Sequence, residues 1–474
     1  MTDELYFMSA VELARRIATR EVSPVAVVDA VLARAAAVDP ALNLFAMPLF
    51  DAARDAARTA EKAITAGESL GPLHGVPITI KDNVAIGGLR LANGSAAFLD
   101  FVAPADAAVV ARIKAAGAII IGKTNLPDFA HKVLTDSPAF GFTRSPWNLE
   151  RTPGGSSGGA SAALAAGVAP LAVGTDGGGS IRCPASCCGL VGLKATLGRI
   201  PFEAPDGFGN YSFVGPMARR VQDVSVLFSV MAGMLAADPF SLGAPALPKS
   251  ILGAPEGTTA GLRIGWIEHF GRYRTEPEVA ALTSAAVRAF ERQGAHVEEL
   301  HDPCFDDVFD TYTVIASSAH AARFGGLVER WHERMTPSIL DSIAKGTRWS
   351  AVDLVHAHDR RTALFRAVQR LFERFDVIAT PTMTAPPKPL DAGGSIATEM
   401  YAEWAAPLYP FNLTGHPALS VPAGFTASGL PVGLQLIGPW FAEAQLLGVA
   451  ARLERINPWH ERRPSMCAGS PSAG

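Results

Sequence analysis

The stretch from Arg151 to Thr196 reads RTPGGSSGGASAALAAGVAPLAVGTDGGGSIRCPASCCGLVGLKAT and is nearly emptied of bulky side chains. Glycine is costly to order, so glycine at this density marks backbone that turns sharply or passes close to another group. Two clusters within it present serines, Ser156 and Ser157 in the first and Ser180 in the second. Upstream, VPITIKDN is an apolar, strand-like run ending in Lys81, which follows Val76, Ile78 and Ile80. A serine hydroxyl is a poor nucleophile at neutral pH and needs a nearby base. A lysine is a base only when neutral, which requires desolvation or a neighbouring positive charge. Backbone N–H groups of Gly177, Gly178, Gly179 and Ser180 can converge on a developing oxyanion, since no Cβ on the glycines blocks approach. These are the parts of a Ser/Lys hydrolase. From composition alone, flexible glycine loops and an ordinary surface lysine remain the alternative.

Three motifs in order decide between them. GPLHGVPITIKDN, GGSSGGASAA and GTDGGGSIRCPA resemble the lysine, bridging-serine and nucleophile motifs of the amidase signature family of serine hydrolases. Their separations match as well, 75 residues from Lys81 to Ser156 and 24 from Ser156 to Ser180. The resemblance continues through GLVGLKATLGRIP to VGPMARRVQDV and resumes with NLTGHPALSVPAGF and GLPVGLQLIGP. It implies an α/β fold in which one large, mixed, twisted β-sheet is covered by α-helices. A single domain, 1–474, would carry core motifs at 71–225 and 405–440 and a variable substrate-entrance region at about 235–405.

The resemblance also implies roles. Ser180 would be the nucleophile, Ser156 the bridging serine behind a cis Gly155–Ser156 peptide, and Lys81 the base. Ser157 would support the relay, and Asp176 and Arg182 would form an ion pair shaping the nucleophile loop. Phe202, Phe208, Tyr211 and Phe213 follow the core motif and are candidates for an acyl pocket, although aromatic residues also simply pack. The expected substrate is a small or medium, largely apolar amide, with esters or carbamates as further candidates. The alternative is the glutaminase subunit of a tRNA-dependent amidotransferase. Against it stands Cys183, where that subunit usually has glutamine after Ser-Ile-Arg.

Other motifs are set aside. Gly154-Gly155-Ser156-Ser157-Gly158 fits the nucleophile-elbow pattern, but no strand precedes it. Gly117-Ala118-Ile119-Ile120-Ile121-Gly122-Lys123-Thr124 matches the P-loop expression, yet its variable positions read as a buried strand. The eleven histidines are scattered without zinc spacing, so no metal or other cofactor is expected. Cys183, Cys187 and Cys188 read as small buried residues.

A formal net charge of −4 offers no general attraction for nucleic acid or anionic membrane, and 49% hydrophobic residues supply a core. Five cysteines without framework spacing suggest a reducing compartment. The N-terminus lacks a signal-peptide pattern and no apolar run approaches a membrane span, so a cytoplasmic enzyme is expected, with self-association left open. Helical patterns alternate with apolar strands along the chain. Ser9 to Glu12 reads as a capping box, Ser23-Pro24 as a helix start, and 49–66 as a helix stopped by Gly67. Asp106 is a candidate cap for the helix before Gly117, and strands are expected at 76–80 and 118–121. Residues 235–260 read as a surface loop and 307–373 as long charged helices.

Overall fold

Apolar strands separated by helices bury themselves most completely when they share one sheet covered on both faces. The computed structural model describes residues 5–203, 211–248, 251, 259–390 and 402–467. Among them the strands are β1 (Phe45–Pro48), β2 (Pro77–Lys81), β3 (Ile119–Thr124), the small hairpin β4 (Asp136–Ser137) with β5 (Gly141–Phe142), β6 (Leu171–Asp176), β7 (Val191–Lys194), β8 (Phe213–Ala218), β9 (Arg263–Trp266), β10 (His296–Glu299), β11 (Val377–Pro381), β12 (Ala418–Phe425) and β13 (Pro431–Ile437). All but the hairpin join one eleven-stranded sheet in the order β1-β3-β2-β6-β8-β7-β12-β13-β11-β9-β10. The sheet is mixed. β2 runs parallel to β3 and β6, β9 runs parallel to β10 and β11, and the strands between them pair antiparallel.

The helices follow local signals. In α1 (Ala10–Ala18), Ser9 Oγ accepts from the Glu12 amide. Only half of the expected capping box forms, because the Glu12 carboxylate is drawn to Arg15 and Arg16. α2 (Pro24–Leu42) starts at the Ser23 cap with Pro24 in its first turn, and α3 (Phe50–Ala66) ends on Gly67 in the left-handed region. α4 (Ala108–Ala115) corrects another expectation. Its N-cap is Ala107, while Asp106 Oδ1 accepts from the Gly87 amide and from Lys114. The salt bridge to Lys114 competes successfully for that carboxylate.

Two wholly buried short helices, α5 (Gly158–Ala165) and α6 (Arg182–Cys188), follow the serine-bearing loops. α6 packs on β7, β12 and β13, so the residues just before it sit over the middle of the sheet. α7 (Val221–Met231) and α8 (Pro277–Glu291) cover the sheet further along. The variable region supplies α9 (Val308–Phe324), α10 (Pro337–Gly346) and α11 (Ala351–Arg374), with α9 packed on both others. α12 (Tyr409–Leu413) precedes β12, and α13 (Glu443–Ile456) closes the fold. No helix among the described residues is long and apolar enough to cross a membrane.

Candidate active site

Lys81 is the last residue of β2 and Asp176 the last of its parallel neighbour β6, so both stand at the carboxyl ends of strands. That edge of an α/β sheet is where ligands commonly bind. Lys81 is fully buried. Its Nζ lies 2.7 Å from Ser156 Oγ, 2.9 Å from Thr175 Oγ1 and 3.4 Å from the Thr175 carbonyl. Asn83 Nδ2 donates to the same Thr175 hydroxyl at 3.0 Å. Burial drives the Lys81 amine well below its ordinary value, against a weaker upward pull from Asp176. A neutral amine has two N–H donors and one lone pair. The two Thr175 oxygens and the Ser156 hydroxyl match that set.

Ser156 follows a cis peptide bond to Gly155. Ser157, beside it, fastens the first serine loop to the second. Its amide donates to the Ser180 carbonyl at 3.2 Å, and its hydroxyl exchanges bonds with the backbone of Thr175. Ser180 is 6% exposed and lines a cavity, open to solvent, that Ser156 and Thr175 also reach. Its Oγ makes no hydrogen bond to Ser156 or to any other described residue. Catalytic contacts are often looser before substrate arrives.

The Ser180 loop is held from behind. Arg182 Nε and Nη2 each donate to Asp176 at 2.9 Å, and both residues are fully buried. Burial alone would raise the Asp176 carboxyl, but the Arg182 guanidinium and Asn412 overcome it and keep the group ionised. Arg182 also reaches the Leu408 carbonyl and Gln435, while Asn412 Nδ2 donates to Asp176 Oδ1 at 2.8 Å. Only glycine fits between this knot and the cavity. Gly179 has φ +110° and a Cβ there would enter Leu408, while at Gly178 it would enter the Tyr312 hydroxyl.

One expected donor is already engaged. The Gly179 N–H donates to Asp176 Oδ1 at 2.7 Å, which removes it from an oxyanion hole. The N–H groups of Gly177, Gly178 and Ser180 carry no such bond among the described residues.

The aromatic expectations fare differently. Phe202 packs against the main core, and Phe213 lies in β8 under Lys194, whose Nζ stands 4.0 Å over its ring. Tyr211 sits one layer back, edge-on to Tyr312, and Phe208 lies outside the described residues. The aromatic cavity wall is instead Phe309, Tyr312 and Tyr409. The sheet hides Phe213, and the aromatic rings described along the cavity come from helices distant in sequence. Sequence reasoning alone misses Thr175 and Asn83, although a polar residue at the end of an apolar strand beside a glycine triplet is an available signal for Thr175.

Metal and phosphate lookalikes resolve simply. Gly122 to Thr124 end β3, and Lys123 is fully buried against Asp82 at 2.9 Å. Cys183, Cys187 and Cys188 are buried free thiols. No cluster of three or more histidine, cysteine or acidic residues suited to a metal occurs among the described residues.

A family model described as Amidase matches residues 26–447. The chain is 36% identical to an acylamidase of Rhodococcus erythropolis over 477 residues, covering 98% of this chain and 99% of that one. It is 38% identical over 487 residues to one subunit of the glutamyl-tRNA(Gln) amidotransferase of Roseiflexus castenholzii, covering 98% of each. A bacterial aryl acylamidase of the amidase signature enzymes superposes with a TM-score of 0.89 at 28% identity, covering 98% of this chain and 99% of that one.

Proposed function

The chain belongs to the amidase signature family of hydrolases, and on that premise we propose that it cleaves the C–N bond of a small or medium, largely apolar, uncharged amide through an acyl-enzyme on Ser180. The observation that carries this reading is the 2.7 Å contact between a fully buried Lys81 and Ser156, with no carboxylate among the described residues hydrogen-bonded to the amine. Neutral Lys81 takes the Ser156 proton as Ser156 takes that of Ser180. Ser180 Oγ then bonds to the carbonyl carbon. The N–H groups of Gly177, Gly178 and Ser180 receive the oxyanion. The C–N bond breaks as the proton returns through Ser156 to the leaving nitrogen, and water releases the acid by the same path.

Charge on the cavity supports an uncharged substrate. The lysines lining it are both paired, Lys132 with Asp136 at 2.6 Å and Lys345 with Asp341 at 2.8 Å. Free glutamine would bring a carboxylate and an ammonium that need partners of their own. The glutaminase reading keeps its support from the 38% identical amidotransferase chain.

Purified protein should release p-nitroaniline from acyl p-nitroanilides and take a fluorophosphonate label at Ser180. The Ser180→Ala variant should keep its fold while kcat/KM falls by about 10⁴–10⁶-fold. Label on Ser156 with Ser180 untouched would overturn the assignment. Ammonia from glutamine, made only with a partner protein present, would favour the amidotransferase reading.

A further inference from the structure

The cavity wall contains a hydrogen-bond chain that the proposed chemistry does not use. His131 follows the turn Asp128–Ala130, and its ring bridges two groups. Nδ1 lies 2.7 Å from the Asp128 backbone carbonyl, and Nε2 lies 2.8 Å from Ser338 Oγ on α10. A carbonyl only accepts, so Nδ1 carries the proton and Nε2 of the neutral ring accepts from the Ser338 hydroxyl. Burial, reinforced by Lys132, holds His131 well below its ordinary value and keeps the ring neutral near pH 7. Ser338 has then spent its single proton. What it offers the cavity it lines is lone pairs.

We propose that Ser338, oriented by His131, is a specificity-determining acceptor for an N–H on a second, uncharged polar group of the substrate, such as a distal carboxamide. The inference rests on the amide-hydrolase reading and narrows its substrate class. A distal carboxylate would face lone pairs with lone pairs, in a cavity whose lysines are already paired. A distal ammonium would lose its water without a free carboxylate to replace it. A distal ketone can accept but cannot donate.

The test uses two series of p-nitroanilide-type amides, with a variable tail on the acyl side in one and on the amine side in the other. Tails of equal length end in methyl, carboxamide, methyl ketone, carboxylate or ammonium. In at least one series the carboxamide should exceed the ketone by about tenfold in kcat/KM, with carboxylate and ammonium lower still. Ser338→Ala should bring the carboxamide-to-ketone ratio within about twofold of one, and Ser338→Thr, which keeps a hydroxyl, should preserve it. The ratio cancels any loss of folded enzyme. Turnover of methyl-tailed amides with a ratio near one in both series overturns the inference and leaves the proposed function standing. So does a ratio that survives Ser338→Ala, or a preference for either charged tail. Absence of turnover on every amide removes the amide reading and this inference together.

Discussion

Two lysines stand at or next to the ends of adjacent parallel strands and differ in their surroundings. In the β2–β3 pairing Ile80 aligns with Lys123 and Lys81 with Thr124, and both lysines are wholly buried. Each follows an isoleucine-rich run, so the sequences ITIK and IIIGK look alike. Lys123 meets Asp82 at 2.9 Å and the Arg90 carbonyl at 2.6 Å. Burial lowers its amine, and the ion pair opposes that lowering. Among the described residues Lys81 meets only hydroxyl and carbonyl oxygens, and its amine is driven well below its ordinary value. Burial is common to both. The difference lies in the carboxylate, which Lys123 has beside it and Lys81, among the described residues, does not.

The strongest way to break that comparison is to exchange the consequences. Lys81→Ala should lower kcat by about 10²–10⁴-fold while thermal unfolding still shows a cooperative fold. Lys81→Arg should not rescue it, because arginine stays protonated. Near-native kcat in the arginine variant would make Lys81 structural, like Lys123.

Lys123→Met should do the reverse. Removing one partner leaves Asp82 as an uncompensated buried charge, which destabilises by about 3–5 kcal/mol in denaturant titrations. Turnover per folded molecule should stay close to wild type, and Asp82→Asn in the same chain should recover part of the stability. A folded Lys123→Met enzyme that is inactive would erase the contrast.

Proton transfer sharpens it further. On the proposed mechanism protonated Lys81 is inactive, so kcat/KM should rise with pH through an apparent pKa well below 10.5, a value belonging to the coupled Lys81–Ser156–Ser180 unit. Stability responds to the same depressed pKa. Between the folded and unfolded values the unfolded chain binds the extra proton, so this group favours folding more as pH rises in that window. Ser156→Ala should cost about 10²-fold in kcat by breaking the path, with residual activity if water fills the gap. Unchanged kcat with the same pH profile would send the proton elsewhere. The smallest effect is expected from Thr175→Val, about three- to tenfold in kcat, because it removes one hydrogen bond that orients the amine.

Much of this is legible in the residues themselves. The alternation of helix and strand and the buried end of β2 follow from local pattern, and the family resemblance supplies the mixed sheet. Local motifs also carry the elements that hold Lys81, Ser156 and Ser180. The cavity walls are not legible. His131 comes from a turn, Ser338 from α10, and Phe309 and Tyr312 from α9. Their convergence depends on how α9 packs against α10, α11 and α12, which leaves no periodicity in sequence. Asp106 and Glu12 depart for a different reason, since nearby salt bridges outcompete the local caps.

The knot behind the Ser180 loop also sets a timetable for biosynthesis. Arg182 and Asp176 are made early, but their partners Leu408, Asn412 and Gln435 arrive 226 to 253 residues after Arg182 or Asp176 in the chain. At about 5–20 residues per second, that interval lasts on the order of 10–50 s on the ribosome. During it the nascent chain already holds the lysine and both serines, yet lacks the groups that fix the glycine loop between them. The support of the Ser180 loop is therefore completed only once Gln435 has been made, and a chain terminated before Leu408 carries Lys81, Ser156 and Ser180 without the groups that fix that loop.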